Sequence, residues 1–468
     1  MTVWTPRIDP HARAKFSGIA DALMEDICLG VLRAGDALPP QRVIASALGV
    51  DLTTVTRAIN EARVRGLITA RRGSGTAIAE GAELAAGDFL GKKPAAAAPL
   101  LDMSMNIPPQ PEGMILGRDI ANTITALMKS QRGTLHMGYR DSIGSEPDRR
   151  AALLWLHPHI ETIRYEHVAL APGAQAALAA IFDAALNRGA KICAGEVTYP
   201  GLKALAEARR MSVLPLQMDK DGIIPESFAA ACRAHHPEAL YVIPSIDNPT
   251  ATTLPESRRK DIAAIARQHN VLIIEDDAYG MLLNKPITPI TAYAPERSWY
   301  IATLSKCLTP ALRLAYVVAP GETELQHLGA ALRVTAQMSS PLFSAVVSQW
   351  INDGAADGIV KAIRAESTAR QALARTILHG IDYTAHPQGH HIWLPLPAPW
   401  TAANFCAQAS HAGLAVVPAS AFSLAPRAPM EAVRVSLGAA PNRDVLEQWL
   451  RMLADQLSTV PQAMRAVV

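Results

Sequence analysis

From about residue 101 the chain alternates short apolar runs with helical stretches, and few architectures accept that alternation. The runs 167–171, 239–243, 271–274 and 299–304 are apolar at consecutive positions instead of every second one. A strand of that kind is buried on both faces. Stretches with helical spacing, such as 175–186 and 256–269, lie between them. The pattern predicts a mostly parallel sheet covered on both faces, with ligands bound at the carboxyl ends of its strands. At 468 residues the chain is too long for one small core, so two or three domains are expected.

The chemically suggestive residues fall at those strand ends. Lys306 follows the run 299–304. An ammonium is costly to bury unless it is paired or converted, and one conversion is a Schiff base with the aldehyde of pyridoxal 5′-phosphate (PLP). Arg313, seven residues on, can serve the phosphate of that cofactor, with the hydroxyls of Thr303 and Ser305 nearby. Run 167–171 leads through Pro172 and Gly173 into a helix, whose free N–H groups at Ala174 and Gln175 suit a phosphate. After run 271–274 comes Glu275-Asp276-Asp277-Ala278-Tyr279. A carboxylate buried there needs a cation, and a protonated pyridine nitrogen would serve. Arg434 sits inside an apolar strand and wants a carboxylate, from a side chain or from a ligand.

The first eighty residues follow another plan. Phe16, Ile19, Ala20, Leu23 and Ile27 recur at helical spacing. Pro39 and Pro40 open a short helix with Val43, Ile44, Ala47 and Leu48 as its apolar residues, and Gly49-Val50 forms a turn. Asp51 caps a third helix with Val55, Ile59 and Ala62 inward and Thr53, Thr54 and Arg57 outward. Two short strands then flank the basic tip Arg71-Arg72-Gly73-Ser74-Gly75. This is the plan of a winged helix-turn-helix that reads double-stranded DNA with its third helix and touches phosphate or minor groove with its wing. The net charge of +2 keeps any such surface local. Residues 80–100, rich in Ala, Gly and Pro, read as a linker.

The stretch LPPQRVIASALGVDLTTVTRAINEARVRGLITARRGSGTAIA resembles the DNA-binding domain of the GntR regulators, with Pro40-Gln41 where that family usually has Ser-Glu. The resemblance makes Arg42 a phosphate contact, beside Thr53, Thr54 and Arg57 in the groove and Arg71 and Arg72 on the wing. Across roughly residues 101–460, the order Gly-x-Gln, Tyr-Pro-Gly, Asn-Pro, Asp-x-x-Tyr, Ser-Lys, Arg and a late Arg resembles the fold-type I aminotransferases. That resemblance selects Asp276 over Asp277 for the pyridine nitrogen. It gives Tyr279 and Asn248 to the cofactor's 3′ oxygen and Tyr199 to its ring face. It also implies a homodimer in which Tyr139 reaches the partner's phosphate.

The combination is similar to the MocR subgroup of GntR regulators, with Ala278 inserted before Tyr279 and Ala302 and Leu304 where Gly and Phe are usual. The expected organisation is a winged helix-turn-helix (1–79), a linker (80–100), and a large (101–352) and a small (353–468) aminotransferase-like α/β domain. The expected function is a PLP-dependent transcriptional regulator that senses an amino-acid-like effector as a PLP aldimine, with Arg434 on the effector's carboxylate. The alternatives are a working aminotransferase with a DNA-binding appendage, and a DNA-binding protein whose C-terminal part is only a dimerisation scaffold.

No apolar run approaches the roughly 20 residues of a membrane span, and no signal-like stretch follows the N-terminus. Cys28, Cys193, Cys232, Cys307 and Cys406 are scattered without a C-x-x-C pair. That argues against a metal site or disulfide framework, and a cytoplasmic protein without a membrane partner is expected.

Overall fold

The structure is a computed structural model that describes residues 15–28, 32, 34–64, 66–71, 75–79, 82, 101–130, 137–425 and 428–459. The chain divides into two compact units, Met1–Pro99 and Leu100–Val468.

The first unit holds helices α1 (Lys15–Cys28), α2 (Gln41–Leu48) and α3 (Leu52–Val64) and a hairpin of β1 (Ile68–Arg71) and β2 (Gly75–Ile78). Its core gathers Ile19, Leu23 and Ile27 of α1, Ile44 of α2, and Val55, Ile59 and Ala62 of α3, closed by Leu67 and Ile78. Asp51 starts α3 as expected, its Oδ1 accepting the Thr53 N–H at 2.7 Å. The expected short helix α2 is present, with Ile44 and Ala45 buried and Val43 and Ala47 exposed. Eight residues make barely two turns, and only one narrow stripe of such a helix can face a core.

The second unit is built on a seven-stranded sheet in the order β4-β12-β11-β10-β9-β5-β6. A two-residue strand β3 (Leu101–Asp102) precedes it. Its strands are β4 (Val168–Ala171), β5 (Lys191–Gly195), β6 (Ser212–Leu216), β9 (Ala239–Val242), β10 (Leu272–Asp276), β11 (Ser298–Thr303) and β12 (Ala315–Val318), and a small β7–β8 hairpin (Met218–Asp219, Gly222–Ile223) lies between β6 and β9. Strand β12 runs antiparallel to both neighbours, and β11, β10, β9, β5 and β6 pair in parallel. The continuous apolar runs have a plain cause. On β11, Tyr300 and Ala302 enter the core on one face and Trp299 and Ile301 the core on the other. A fully buried large apolar side chain such as Ile301 contributes about 1.5–3 kcal/mol.

The C-terminal part carries the long helix Ala355–Ile377 and a four-stranded sheet in the order β13-β14-β17-β16, formed by β13 (Thr384–Ala385), β14 (His391–Pro395), β16 (Val417–Pro418) and β17 (Ala432–Ser436). Strand β3 belongs to this part, since it pairs with β15 (Leu414–Ala415), and the adjoining Met103 is buried in the same core as Phe405 and Trp449. Among the described residues, no helix is long and apolar enough to cross a membrane.

Two features fix the segment that follows β3. Glu366, 6% exposed, accepts from Arg370 Nε at 2.7 Å and from Arg443 Nη2 at 2.6 Å, and Arg370 Nη1 donates to the Leu437 and Ala440 carbonyls at 2.8 Å each. This holds the turn at Gly438, where a Cβ would run into the Ile107 carbonyl. Gly438→Ala should therefore destabilise the protein by about 1–3 kcal/mol through overpacking, read as a lower urea midpoint by tryptophan emission. An unchanged midpoint would mean that Ile107 does not pack there.

Candidate functional site

The carboxyl ends of the strands surround a cavity of about 170 Å³. Strand β11 delivers Thr303, Ser305 and Lys306 to its wall, β10 delivers Asp276, Ala278 and Tyr279, and the turn after β9 delivers Asn248. Ala174 and Gln175 come from the helix after β4, Tyr199 from the turn after β5, and Arg313 from the turn before β12. The sequence placed these residues at strand ends, and the fold brings them to one wall.

Lys306 sets the electrostatics. Burial pushes its amine down to about 8, the Arg434 guanidinium pushes the same way, and Asp276 opposes. Its Nζ donates to the Asn106 main-chain carbonyl. Asp276 is raised to about 6 by burial, against the hydrogen bond from Tyr241 Oη to its Oδ2 at 2.8 Å. Its other oxygen, Oδ1, is buried without a partner among the described residues. Asp277 points elsewhere, accepting from Tyr300 Oη and the Gly280 N–H at 2.7 Å each. The two adjacent carboxylates thus divide, one committed to the scaffold and one with an oxygen left over.

At the other end of the cavity, the helix Ala174–Ala185 starts behind Gly173, whose φ of 93° suits only glycine. The Arg313 guanidinium packs on Gly173, so close that a Cβ there would sit 3.2 Å from Nη2. A cation beside free helix N–H groups makes an anion site. Thr303 Oγ1 accepts from the Ser305 N–H at 3.3 Å, and Gln175 donates to the Gly201 carbonyl at 3.1 Å.

Arg434 lies in β17, 7% exposed and outside the cavity wall. Its Nη1 donates to Asn248 Oδ1 at 2.8 Å and its Nη2 to the Ser104 carbonyl, and the guanidinium stands 5.0 Å from the Phe422 ring centroid. Among the described residues it has no carboxylate partner, so the internal salt bridge left open by the sequence is not made. Tyr139 is 85% exposed and does not reach the cavity of its own chain.

The sequence reading missed Asn106, Tyr241, His390 and His391. Asn106 Nδ2 donates to Tyr279 Oη at 2.7 Å and faces His391 Nδ1 at 3.1 Å. His390 Nε2 donates to the Lys306 carbonyl at 2.7 Å, and His391 Nε2 to that of Asp247 at 3.0 Å. Burial pushes these imidazoles down, to about 4 and about 3. Two histidines opening an apolar strand were a legible signal, because buried polar groups need partners. Asn106 carried none.

On the first unit, Thr53 and Arg57 are exposed on α3, Thr54 is half-buried, and Arg42 is exposed on α2. Arg57 stacks over the Phe16 ring at 4.2 Å, and the Thr53 hydroxyl donates to Asp51. Arg71 ends β1, and Arg72 lies outside the described residues.

The family model for aminotransferase class I and II matches residues 98–453, and that for the gntR family of bacterial regulatory proteins matches residues 16–78. YdeF of Bacillus subtilis, an uncharacterized HTH-type transcriptional regulator, is 29% identical over 96% of each chain. PdxR of Corynebacterium glutamicum, an HTH-type pyridoxine biosynthesis transcriptional regulator, is 24% identical over 67% of this chain and 68% of PdxR. Among solved structures, LysN of Thermus thermophilus, an alpha-aminoadipate aminotransferase complexed with N-(5'-phosphopyridoxyl)-L-leucine, superposes with a TM-score of 0.71 at 21% identity, over 79% of this chain and 94% of LysN.

The depressed Lys306 amine predicts a reactivity profile. It is about half neutral at pH 8, whereas an ordinary lysine titrates near 10.4. In the PLP-free protein, reductive methylation followed by peptide mass mapping should modify Lys306 half-maximally near pH 8, well below the surface lysines. A Lys306 profile that follows the surface lysines would show that its ammonium is not desolvated.

Proposed function

We propose, from the premise that this chain belongs to the aminotransferase class I and II family and carries a GntR-type helix-turn-helix DNA-binding domain, that it is a transcriptional regulator whose DNA binding responds to an amino-acid-like effector through bound PLP. The observation that carries this reading is a pair of largely buried cations, Lys306 and Arg434, neither of which donates to a carboxylate among the described residues. Lys306 stands in the cavity wall, and Arg434 is joined to that wall through Asn248.

The residues fit the cofactor on which the family depends. When bound, PLP supplies an aldehyde carbon that takes a primary amine. Lys306 would hold that carbon, and its lowered pKa keeps a share of the amine neutral near pH 7. Asp276 Oδ1, without a partner among the described residues, would accept a hydrogen bond from the pyridinium N–H, with Tyr199 against the ring face. Asn248 and Tyr279 would meet the 3′ oxygen. Arg313, Thr303, Ser305 and the N–H groups of Ala174 and Gln175 would hold the phosphate, which leaves Arg434 free for a second anion.

That second anion is the effector's carboxylate. A guanidinium stays charged, and a carboxylate is a stronger partner for it than the neutral Ser104 carbonyl. An amine at one end and a carboxylate at the other define an amino acid or close relative. The assembly proposed is a homodimer, supported by the exposed apolar residues Ile115, Met128, Met137 and Tyr139 near the start of the second unit. Tyr139 would reach the partner's phosphate. In DNA binding, Thr53, Thr54 and Arg57 would meet base edges, and Arg42, Arg71 and Arg72 the backbone.

The same groups would also support transamination, and turnover of an amino acid with a 2-oxo acid would make the protein an enzyme. The regulator reading is tested by Arg434→Ala, titrated with amino acids and with matched amines lacking the carboxylate, by visible absorption and DNA shift. The variant should keep its colour and lose its response to amino acids. An unchanged response, or a wild-type response as strong to plain amines, refutes the reading. Arg57→Ala should lose about 1–3 kcal/mol of discrimination between operator and random DNA, measured as a ratio of dissociation constants at fixed salt. Equal loss on both DNAs would make Arg57 a backbone contact.

A further inference from the structure

Tyr279 is 1% exposed, lines the cavity, and is hydrogen-bonded only to Asn106 among the described residues. Which way that bond runs decides what the phenol can do in the cavity, and the surrounding groups settle the direction. The Asp247 carbonyl can only accept, so His391 Nε2 must carry a proton to donate to it at 3.0 Å. His391 is neutral, because burial and the Arg434 guanidinium push it down to about 3. Its Nδ1 is therefore a bare acceptor, and the Asn106 atom facing it at 3.1 Å must be the NH₂ group. The second hydrogen of that NH₂ goes to Tyr279 Oη at 2.7 Å, and the phenol oxygen is the acceptor. The reverse amide would set oxygen against the lone pair of Nδ1. The orientation leaves Asn106 Oδ1 buried without a partner.

We infer that Asn106 is a positioning residue, which occupies the acceptor side of the Tyr279 hydroxyl and so reserves its proton for an oxygen anion bound in the cavity. The inference rests on the reading that the cavity holds PLP, where that anion is the cofactor's 3′ oxygen. A donor on that oxygen favours its negative charge and weakens its pull on the proton of the adjacent imine nitrogen. Without Asn106 the phenol is free to turn, and the bound cofactor keeps that proton to higher pH. The charged groups facing Tyr279 are Arg434, Asp276 and Asp247, with Lys306 and Arg313 also at the cavity, and the His390 and His391 rings pack against it at 5.8 and 5.9 Å; a neutral substitution at Asn106 changes no charge and removes one neighbour's partner, that of His391 Nδ1. The Asn106 main-chain carbonyl, which accepts from Lys306, also survives the substitution.

The test is a pH titration of the visible band of the PLP-loaded full-length protein. Asn106→Ala and Asn106→Leu, the second of which keeps the volume filled, should both raise the midpoint by about one pH unit, a tenfold change in proton affinity. Tyr279→Phe should raise it by at least as much, and adding either Asn106 substitution to Tyr279→Phe should produce no further shift. That last arm separates positioning from a merely structural role. A wild type that takes up no PLP overturns the cofactor reading and this inference with it. A normal band whose midpoint ignores both Asn106 substitutions overturns the inference alone, as does a shift that persists in the Tyr279→Phe background.

Discussion

The site depends on burying one amine. The chain that delivers Lys306 is held on both sides, with Leu304 and Cys307 fully buried, and the Lys306 carbonyl accepts from His390. The lysine stem is thereby directed into the cavity wall. What it meets inside is a neutral carbonyl from Asn106 and the nearby charge of Asp276, while Arg434 repels it. These do not replace hydration in full, and the amine answers by becoming easier to deprotonate. A lysine near 8 is a better nucleophile at neutral pH than a lysine near its ordinary value. The same burial raises Asp276 to about 6, still low enough to leave it mostly ionised at pH 7. One desolvated pocket thus prepares an amine and a carboxylate for opposite tasks.

How much of this was legible in the sequence depended on whether a residue's partners were near it in the chain. The strands were readable because covering a sheet on both faces leaves a continuous apolar run, as Trp299 to Thr303 shows. Placing the site residues at strand ends needed nothing more. Choosing Asp276 over Asp277 needed the family pattern, and the physical reason lies in a side chain 23 residues on, since Tyr300 takes Asp277 for the scaffold. Asn106 could not have been found, because its partners lie 173 and 285 positions away.

The C-terminal part contributes more to the site than its place in the chain suggests. His391 opens β14 with His390 just before it, Arg434 lies in β17 beside β14, and Ser104 and Asn106 follow a strand paired with β15. Several of these contacts cross to the seven-stranded sheet's loops. His391 donates to Asp247, His390 to Lys306, and Arg434 to Asn248. A displacement between the two parts would strain all three bonds together, so their geometry is either kept or lost as a set.

That arrangement bears on how a ligand could be felt beyond the cavity. A ligand shifts a conformational equilibrium only by its differential affinity for the two forms. Here the differential has a definite source. A carboxylate that takes Arg434 Nη2 does so in competition with the Ser104 carbonyl, which must then find another donor or water. An effector amine that replaced Lys306 at the cofactor carbon would free the Lys306 amine to donate to the Asn106 carbonyl. Both carbonyls belong to one stretch of three residues, and that stretch is reached in the chain directly from β3 and residues 80–100. An effector that made both exchanges would change the partners of both carbonyls, and one that made a single exchange would change only one. Requiring an amine and a carboxylate in the same molecule would thus serve coupling as well as recognition. The typical coupling between two sites is about 1–3 kcal/mol, which the exchange of one or two charge-assisted hydrogen bonds for neutral ones is large enough to supply.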